Sequence, residues 1–316
     1  KIIPNLITKN MKKLRASYYV MGGLVSNRLN FESLYPGGCS FMKRPIDYHL
    51  NAFEKLGYEI EKSEECIKFK TSDISDFPIE IKLEKPSIGA TINILIASVK
   101  RFNKTRIYNH ALEPEVIQVI ELLNKMGAFI KYDNQKIIIK GVERLHGTKF
   151  KIMPDRIEAG TYLAFAAANG NGVLVKNVIT EHLDPFIAKL QEMGVRLEIH
   201  EDSIYVPGGD LLVPVTVKTA PFPGFATDLQ QPLTPLLLKA QGSSRIIDTL
   251  YPERVKHIPE MRKMGAKISS KDGIITVKRS KDLLGTTVEA SEIRAGVSLL
   301  GLALMAEGTT VITKAD

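Results

Sequence analysis

The chain contains no tryptophan and only two cysteines, Cys39 and Cys66, among 316 residues. Two thiols cannot make a disulfide framework, so a buried core must supply the stability, and a reducing, cytoplasmic setting is expected. Long hydrophobic runs are also missing. The longest, Val297 to Ala306, is broken by Ser298 and Gly301, and a membrane span needs about 20 apolar residues. No basic stretch followed by an apolar one opens the chain, so no secretory leader is expected. Five consecutive basic residues never occur, and no alternation of aromatic and basic residues suggests a platform for single strands. Metal-ligand spacings, a phosphate loop, a dinucleotide fingerprint and a Gly-x-Ser-x-Gly elbow are all absent. Neither a metal nor another cofactor is expected, and neither a nucleic acid nor a membrane partner.

What remains is ordinary for a globular α/β chain, 44% hydrophobic and 25% charged, long enough for about two domains. The net charge of +8 favours anionic ligands without choosing among them.

An internal repeat organises the sequence. Leu56-Gly57, Met126-Gly127, Met193-Gly194 and Met264-Gly265 each end an amphipathic run and open a short alternating one. They recur roughly every 70 residues, too long for a solenoid unit. Glycine after a helical pattern marks the left-handed C′ position. The alternating run is followed by a polar turn and a second strand, as at Asp133-Asn134, Glu201-Asp202 and Lys271-Asp272-Gly273, which reads as a hairpin. A second helix lies out of phase, beginning near Arg15, Gly89, Glu158, Asp228 and Arg294. It is rich in Ala and Leu and apolar nearly all round, hence buried. The residues alone therefore give a unit of helix, strand, helix and hairpin, with incomplete units at both ends as in a fragment. The weakest join lies near His146 to Pro154, so domains are expected at 1–153 and 154–316.

Polar residues open each buried helix: Arg15-Ala16-Ser17, Ser87-Ile88-Gly89, Asp155-Arg156, Thr227-Asp228 and Glu292-Ile293-Arg294. Singly, each is a capped helix start, a reading that suits Ser87 and Thr227. At equivalent repeat positions they offer converging N–H groups and arginines for phosphates and carboxylates. Arg156 is expected to pair with Asp155 or Glu158. The loop Pro36-Gly37-Gly38-Cys39 precedes Lys43 and Arg44, an electropositive setting in which a thiol can be acidic or nucleophilic. Cys66, within a strand pattern, reads as a small apolar residue. His110, His182 and His257 read as surface or capping residues, and His49, just after the loop, is the one histidine singled out.

Arg15-Ala16-Ser17-Tyr18-Tyr19, Pro36-Gly37-Gly38-Cys39, Arg44-Pro45-Ile46-Asp47, Gly89-Ala90-Thr91, Pro154-Asp155-Arg156-Ile157-Glu158-Ala159-Gly160-Thr161, Thr219-Ala220-Pro221 and Phe225-Ala226-Thr227-Asp228 stand in order along essentially the whole chain. Together they resemble the UDP-N-acetylglucosamine 1-carboxyvinyltransferases, a family of enolpyruvyl transferases. The resemblance implies a two-domain inside-out α/β barrel of βαβαββ units. It implies a monomeric enzyme acting on phosphoenolpyruvate and UDP-N-acetylglucosamine in peptidoglycan synthesis. Cys39 would be the general acid, and the target of epoxide antibiotics; Asp228 would be the carboxylate beside the attacking hydroxyl. Arg15 and Arg44 would contact phosphoenolpyruvate. Arg44, Pro45, Ile46, Asp47 and His49, with Lys85, Ser87, Ile88 and Gly89, would line the uridine diphosphate end. Leu250 would make a backbone contact to the sugar nucleotide, and Arg254 and Arg294 would bind substrate.

The family pattern also has a Lys-Asn pair before the position of Lys1 and an arginine-bearing segment beyond Asp316, so these 316 residues alone are expected to be feebly active. Leu112 replaces an arginine, and Pro252-Glu253-Arg254 replaces an acidic-Asn-Arg run. Two alternatives stay open: a non-catalytic relative that binds the sugar nucleotide or a protein partner, and a shikimate-type transferase of the same fold, disfavoured by the Pro-Gly-Gly-Cys loop.

Overall fold

The computed structural model describes Met11 and residues 13–37, 45–72 and 77–315. Cys39 and Arg44 lie outside the described residues. Two compact units divide the chain, the change falling between Ile152 and Met153.

The first unit contains α1 (Tyr18–Ser26), β1 (Phe31–Leu34), α2 (Asp47–Lys55), β2 (Tyr58–Lys62), β3 (Cys66–Thr71), β4 (Ile79–Lys82), α3 (Ile88–Ser98), β5 (Lys104–Tyr108), α4 (Pro114–Lys125), β6 (Phe129–Tyr132) and β7 (Lys136–Lys140). The second contains α5 (Arg156–Asn169), β8 (Val173–Lys176), α6 (Asp184–Glu192), β9 (Glu198–Ile199), β10 (Ser203–Val206), β11 (Thr216–Lys218), α7 (Gln230–Leu237), β12 (Ser243–Ile247), α8 (His257–Lys263), β13 (Lys267–Lys271), β14 (Ile274–Lys278), β15 (Thr287–Glu289), α9 (Ile293–Ala303) and β16 (Val311–Thr313).

Among the described residues, one full repeat appears in each unit. In the first, β4 and β5 run parallel across α3, and the β6–β7 hairpin adds antiparallel to β5, giving the order β4-β5-β7-β6. The second repeats this as β11-β12-β14-β13. A parallel pair needs a crossover helix, which α3 and α7 provide. The unit is therefore βαβαββ, as the family resemblance implies. The residue pattern alone misses the leading strand because β11 and β15 hold only 3 residues each and β4 only 4.

The glycines that close the amphipathic helices do take left-handed backbone, with φ of 92°, 98°, 92° and 91° at Gly57, Gly127, Gly194 and Gly265. A side chain there would be strained, so the helix stops and the chain turns into its hairpin. The out-of-phase helices are the core. Every residue of α7 is buried, and α3 is buried from Ala90 to Ser98 except Ile96. Such helices can pack on all sides only if the amphipathic helices and sheets cover them. α4 supplies one cover with Val116, Ile120 and Leu123. Leu233, Leu236 and Leu237 of α7 are fully buried, each contributing about 1.5–3 kcal/mol on removal from water. Leu236→Ala would cost about 2–5 kcal/mol.

Candidate active site

In the second unit a 3-10 turn, Thr227–Leu229, runs directly into α7 and sets Asp228 at the head of that buried helix. Two arginines from different elements meet its carboxylate. Arg254 Nη1 donates to Oδ1 at 2.6 Å, and Arg294 Nη2 lies 3.5 Å from Oδ2. Arg254 is 5% exposed and lies over the Tyr251 ring; Arg294 and Asp228 are more open, at 29% and 40%. Burial by itself would raise the Asp228 carboxyl. The two guanidiniums outweigh it and hold the group below the usual aspartate value. Asp228 is thus an ionised, half-exposed carboxylate gripped by one buried and one looser cation.

A residue absent from the sequence reading builds this arrangement. Asp248, buried at the end of β12, accepts from Thr219 Oγ1 at 2.7 Å and Thr227 Oγ1 at 2.6 Å. It also accepts from the Leu250 and Tyr251 amides at 3.0 and 2.9 Å. One carboxylate ties together the end of β11, the Asp228 turn and the loop leading to Arg254. The signal was an aspartate directly after a β-branched strand, where an Asx turn forms. Thr227 is consequently not the simple helix cap expected of it, because its hydroxyl serves Asp248 instead. The Leu250 side chain is exposed, and its amide N–H is already engaged with Asp248.

In the first unit Arg15 opens a 3-10 turn before α1, its guanidinium 5.4 Å from the Tyr18 ring centre and Nη2 3.5 Å from the Pro45 carbonyl oxygen. Pro45 is exposed and Ile46 buried just before α2, whose first residue, Asp47, pairs with Lys62 at 3.9 Å. His49 packs against Tyr18, and its Nδ1 lies 3.0 Å from Asn93 Nδ2. The amide can only donate, so Nδ1 accepts and the ring is neutral. Burial, and then the Arg15 charge, lower its pKa to about 4. Gly89 sits against the Tyr18 hydroxyl where a Cβ would collide, so Tyr18 fits only beside a glycine. Ser87 caps α3 by accepting from the Ala90 amide at 3.3 Å, while Lys85 and Ile88 are exposed.

The structure therefore brings Arg15, Pro45 and His49 together with Gly89 in one unit, and Asp228, Arg254 and Arg294 in the other. Arg156 is buried with its guanidinium 5.5 Å from the Phe222 ring centre. Two histidine expectations are corrected. His110 and His257 are buried, not surface residues: His110 lies between the carbonyl oxygens of Ala111 and Asp133, and His257 meets Gln231. A buried core takes polar rings only where the fold partners them, and local sequence does not display such partners. Among the described residues no cluster of His, Cys, Asp or Glu could hold a metal ion, and no helix is long and apolar enough to cross a membrane.

The family model described as EPSP synthase (3-phosphoshikimate 1-carboxyvinyltransferase) matches residues 2–316. UDP-N-acetylglucosamine 1-carboxyvinyltransferase 2 of Streptococcus pyogenes serotype M3 is 49% identical over 307 residues, covering 97% of this chain and 73% of that protein. UDP-N-acetylglucosamine 1-carboxyvinyltransferase of Streptococcus pneumoniae (strain Hungary19A-6) is 50% identical over the same share. Among solved structures, an enolpyruvyl transferase from Streptomyces tendae superposes with a TM-score of 0.84 at 21% identity, covering 95% of this chain and 72% of that one. EPSP synthase from Acinetobacter baumannii gives 0.68 at 20% identity over 95% and 73%. Those two likenesses establish the fold; the far higher identities establish the kinship within it. The chain belongs to the EPSP synthase family of enolpyruvyl transferases, alongside the UDP-N-acetylglucosamine 1-carboxyvinyltransferases.

Proposed function

We propose that this chain transfers the enolpyruvyl group of phosphoenolpyruvate to the 3-hydroxyl of UDP-N-acetylglucosamine and releases phosphate, the first committed step of peptidoglycan synthesis. The observation that carries this reading is the 49% identity over 97% of the chain to transferases of that name. The ionised Asp228 at a helix head, gripped by Arg254 and Arg294, is the chemistry the reaction requires. The shikimate reading has only the family model's description and the solved structures at about 20% identity behind it.

The chemistry is an addition followed by an elimination. The sugar hydroxyl adds to the enol carbon and gives its proton to Asp228, while the neighbouring methylene gains a proton from Cys39 and becomes a methyl group. The Cys39 thiolate then takes a proton back from the methyl group, the bond to phosphate breaks as Asp228 yields its proton to the departing phosphate, and the double bond returns on the product. One acid and one base suffice. A carboxylate held down by two guanidiniums is a weak base. Arg294, at 3.5 Å, is the looser of the two. When an anionic substrate draws it away, Asp228 becomes more basic at the moment a proton is on offer. Cys39 and Arg44 keep the roles implied by sequence: acid and anion contact. Arg15, whose Nη2 lies beside the Pro45 carbonyl, keeps the phosphoenolpyruvate contact implied by sequence. Arg254 keeps the substrate contact implied by sequence and, through Nη1, also holds Asp228. The enzyme works as a monomer in the cytoplasm.

The test is phosphate release on mixing the purified protein, as the cell makes it, with both substrates. Release dependent on UDP-N-acetylglucosamine supports the reading. Tight binding of the sugar nucleotide without release would make the protein a non-catalytic binder instead.

A further inference from the structure

The first turn of α7 carries a polar network that stability does not explain. Gln231 is fully buried. Its Nε2 lies 3.0 Å from His257 Nδ1 on α8 and 2.9 Å from Glu292 Oε1 at the head of α9. An amide nitrogen has two hydrogens, and this geometry gives one to each acceptor. The tautomer of His257 follows: Nδ1 accepts, so the ring is neutral and carries its proton on Nε2. Gln231 Oε1 and His257 Nε2 have no hydrogen-bond partner in their buried positions. These two unpaired buried polar atoms cost free energy, and removing Gln231 alone would in turn take the donor from His257 Nδ1 and Glu292 Oε1. A feature that burdens stability in this way calls for another reason.

The reason lies in what the bracket joins. Gln231 stands one helical turn beyond Asp228, on the element that presents that carboxylate. Glu292 stands two residues before Arg294, on the element that presents the looser cation. Glu292 is the N-cap residue of α9, yet its side chain makes no cap hydrogen bond; it reaches back to Gln231. His257 opens α8, three residues after Arg254. A single carboxamide therefore touches the elements that supply the three members of the Asp228–Arg254–Arg294 cluster.

We propose that Gln231 is a positioning residue: by donating to His257 and Glu292 together it fixes the head of α9 so that Arg294 reaches the Oδ2 side of Asp228. The proposal rests on the reading of Asp228 as the acceptor of the hydroxyl proton. The charged and titratable groups around Asp228 are Arg254 from the loop before α8 and Arg294 from α9. Asp248 stands behind Thr227, and His257 and Glu292 lie beyond the arginines. α5 packs on the same turn through Gly160 against Leu229 rather than with a charge.

The experiment follows the Asp228 carboxyl carbon by NMR as pH is varied, in the unaltered protein, in Gln231→Met, in Arg294→Met and in the double variant. With Gln231→Met the titration should move up, because Arg294 no longer holds the carboxylate. In the double variant it should sit where Arg294→Met alone puts it, since a residue that acts through Arg294 has nothing to add once Arg294 is gone. Steady-state turnover of Gln231→Met should fall on the order of 10- to 100-fold in kcat, with KM for the sugar nucleotide little changed. Thermal unfolding of Gln231→Met should come earlier, because two buried acceptors lose their donor, so turnover is compared well below the unfolding range of each variant. Gln231→Asn, too short to span both acceptors, gives the same expectations should Gln231→Met not fold. An Asp228 titration unmoved by either variant, or shifts that add in the double variant, would overturn the proposal. Absence of turnover in the unaltered protein would instead sink the functional reading, and the titration arm would still decide the role of Gln231.

Discussion

Each unit buries a histidine at the same place in its repeat, as many residues before Gly57 as before Gly265, and the two have been put to different uses. His49 accepts from Asn93 on α3, the buried helix of the next repeat; His257 meets Gln231 on α7, the buried helix of its own. The Asn93 carboxamide is short and packed against Gly22, so it serves one histidine and the Tyr18 carbonyl. Gln231 is one methylene longer and reaches a carboxylate as well. Around His49 stand Arg15 and Tyr18, a cationic and aromatic neighbourhood without an acid at hydrogen-bond distance of the ring among the described residues. His257 likewise has no acid on its ring among the described residues, but its partner Gln231 carries it to the Glu292 carboxylate, and Arg254 is the charge that acts on it. Duplication kept the scaffold and the neutral imidazole, and the side chains beside each imidazole set what the unit can do.

The largest effect should come from removing the two groups proposed to transfer protons. Asp228→Asn keeps the shape and an acceptor for Arg254 but cannot take a proton. kcat for phosphate release should fall on the order of 10²–10⁴-fold. Cys39→Ser should cost turnover comparably, because a hydroxyl is a far weaker acid than a thiol, whereas Cys39→Asp should retain a measurable rate. A Cys39→Ser protein with full turnover would show that the thiol is a bystander.

Next in size is the contrast between the two arginines. Arg254→Met leaves the half-exposed Asp228 without its 2.6 Å partner and empties a buried site, so unfolding free energy should drop by about 1.5–3 kcal/mol. Arg294→Met, at a more open pair, should cost no more than about 1 kcal/mol while still lowering turnover. Denaturant midpoints measured beside phosphate release separate the two effects. Equal losses of stability would mean that exposure does not rank these contacts.

Much of this was legible in the sequence, and the reason is periodicity. The left-handed glycines and the apolar helices announced the repeat, and the polar residues at the helix heads announced Arg15, Asp228 and Arg294. The leading strands β11 and β15 were too short for alternation to show. Asp248, Gln231 and the inward contact of Glu292 escaped because they depend on partners distant in sequence: Asp248 binds residues up to 29 positions away, and Gln231 reaches across 61. The burial of His110 and His257 escaped for the same reason. A polar residue on an apolar helix looks like a break in the pattern until its partner, distant in sequence, is known.

The paired histidines also predict how acid acts on each unit. His49 has its pKa lowered to about 4 and His257 to about 3, against an ordinary 6.5. A depressed pKa means that the unfolded chain binds the proton first as pH falls. The stability contribution is therefore complete above pH 6.5 and is lost progressively below it, down to the folded value. Melting temperature should begin to fall below about pH 6.5, earlier than carboxylates alone would dictate. His49→Gln and His257→Gln should each flatten that slope between pH 6.5 and 4. A slope unchanged in both variants would place the acid sensitivity elsewhere.

The smallest expected effect compares two hydroxyls at the heads of equivalent buried helices. Ser87 caps α3 directly, through the Ala90 amide. Thr227 does not cap α7; its hydroxyl donates to the buried Asp248 carboxylate at 2.6 Å. Ser87→Ala removes a cap and should cost about 0.5–2 kcal/mol. If capping is all that Ser87 does, affinity for UDP-N-acetylglucosamine should be unchanged, and the binding role implied by family resemblance falls away. If affinity drops as well, the hydroxyl serves both helix and ligand. Thr227→Val, which keeps the shape, instead withdraws one donor from a buried carboxylate that still has three. Its cost should be about 1.5–3 kcal/mol, the range for hydrogen bonds to charged groups. It should also loosen the turn that carries Asp228, so turnover should fall with stability, whereas Ser87→Ala should leave turnover intact. Calorimetric titration with the sugar nucleotide, set beside urea unfolding of both variants, distinguishes a cap from a strut.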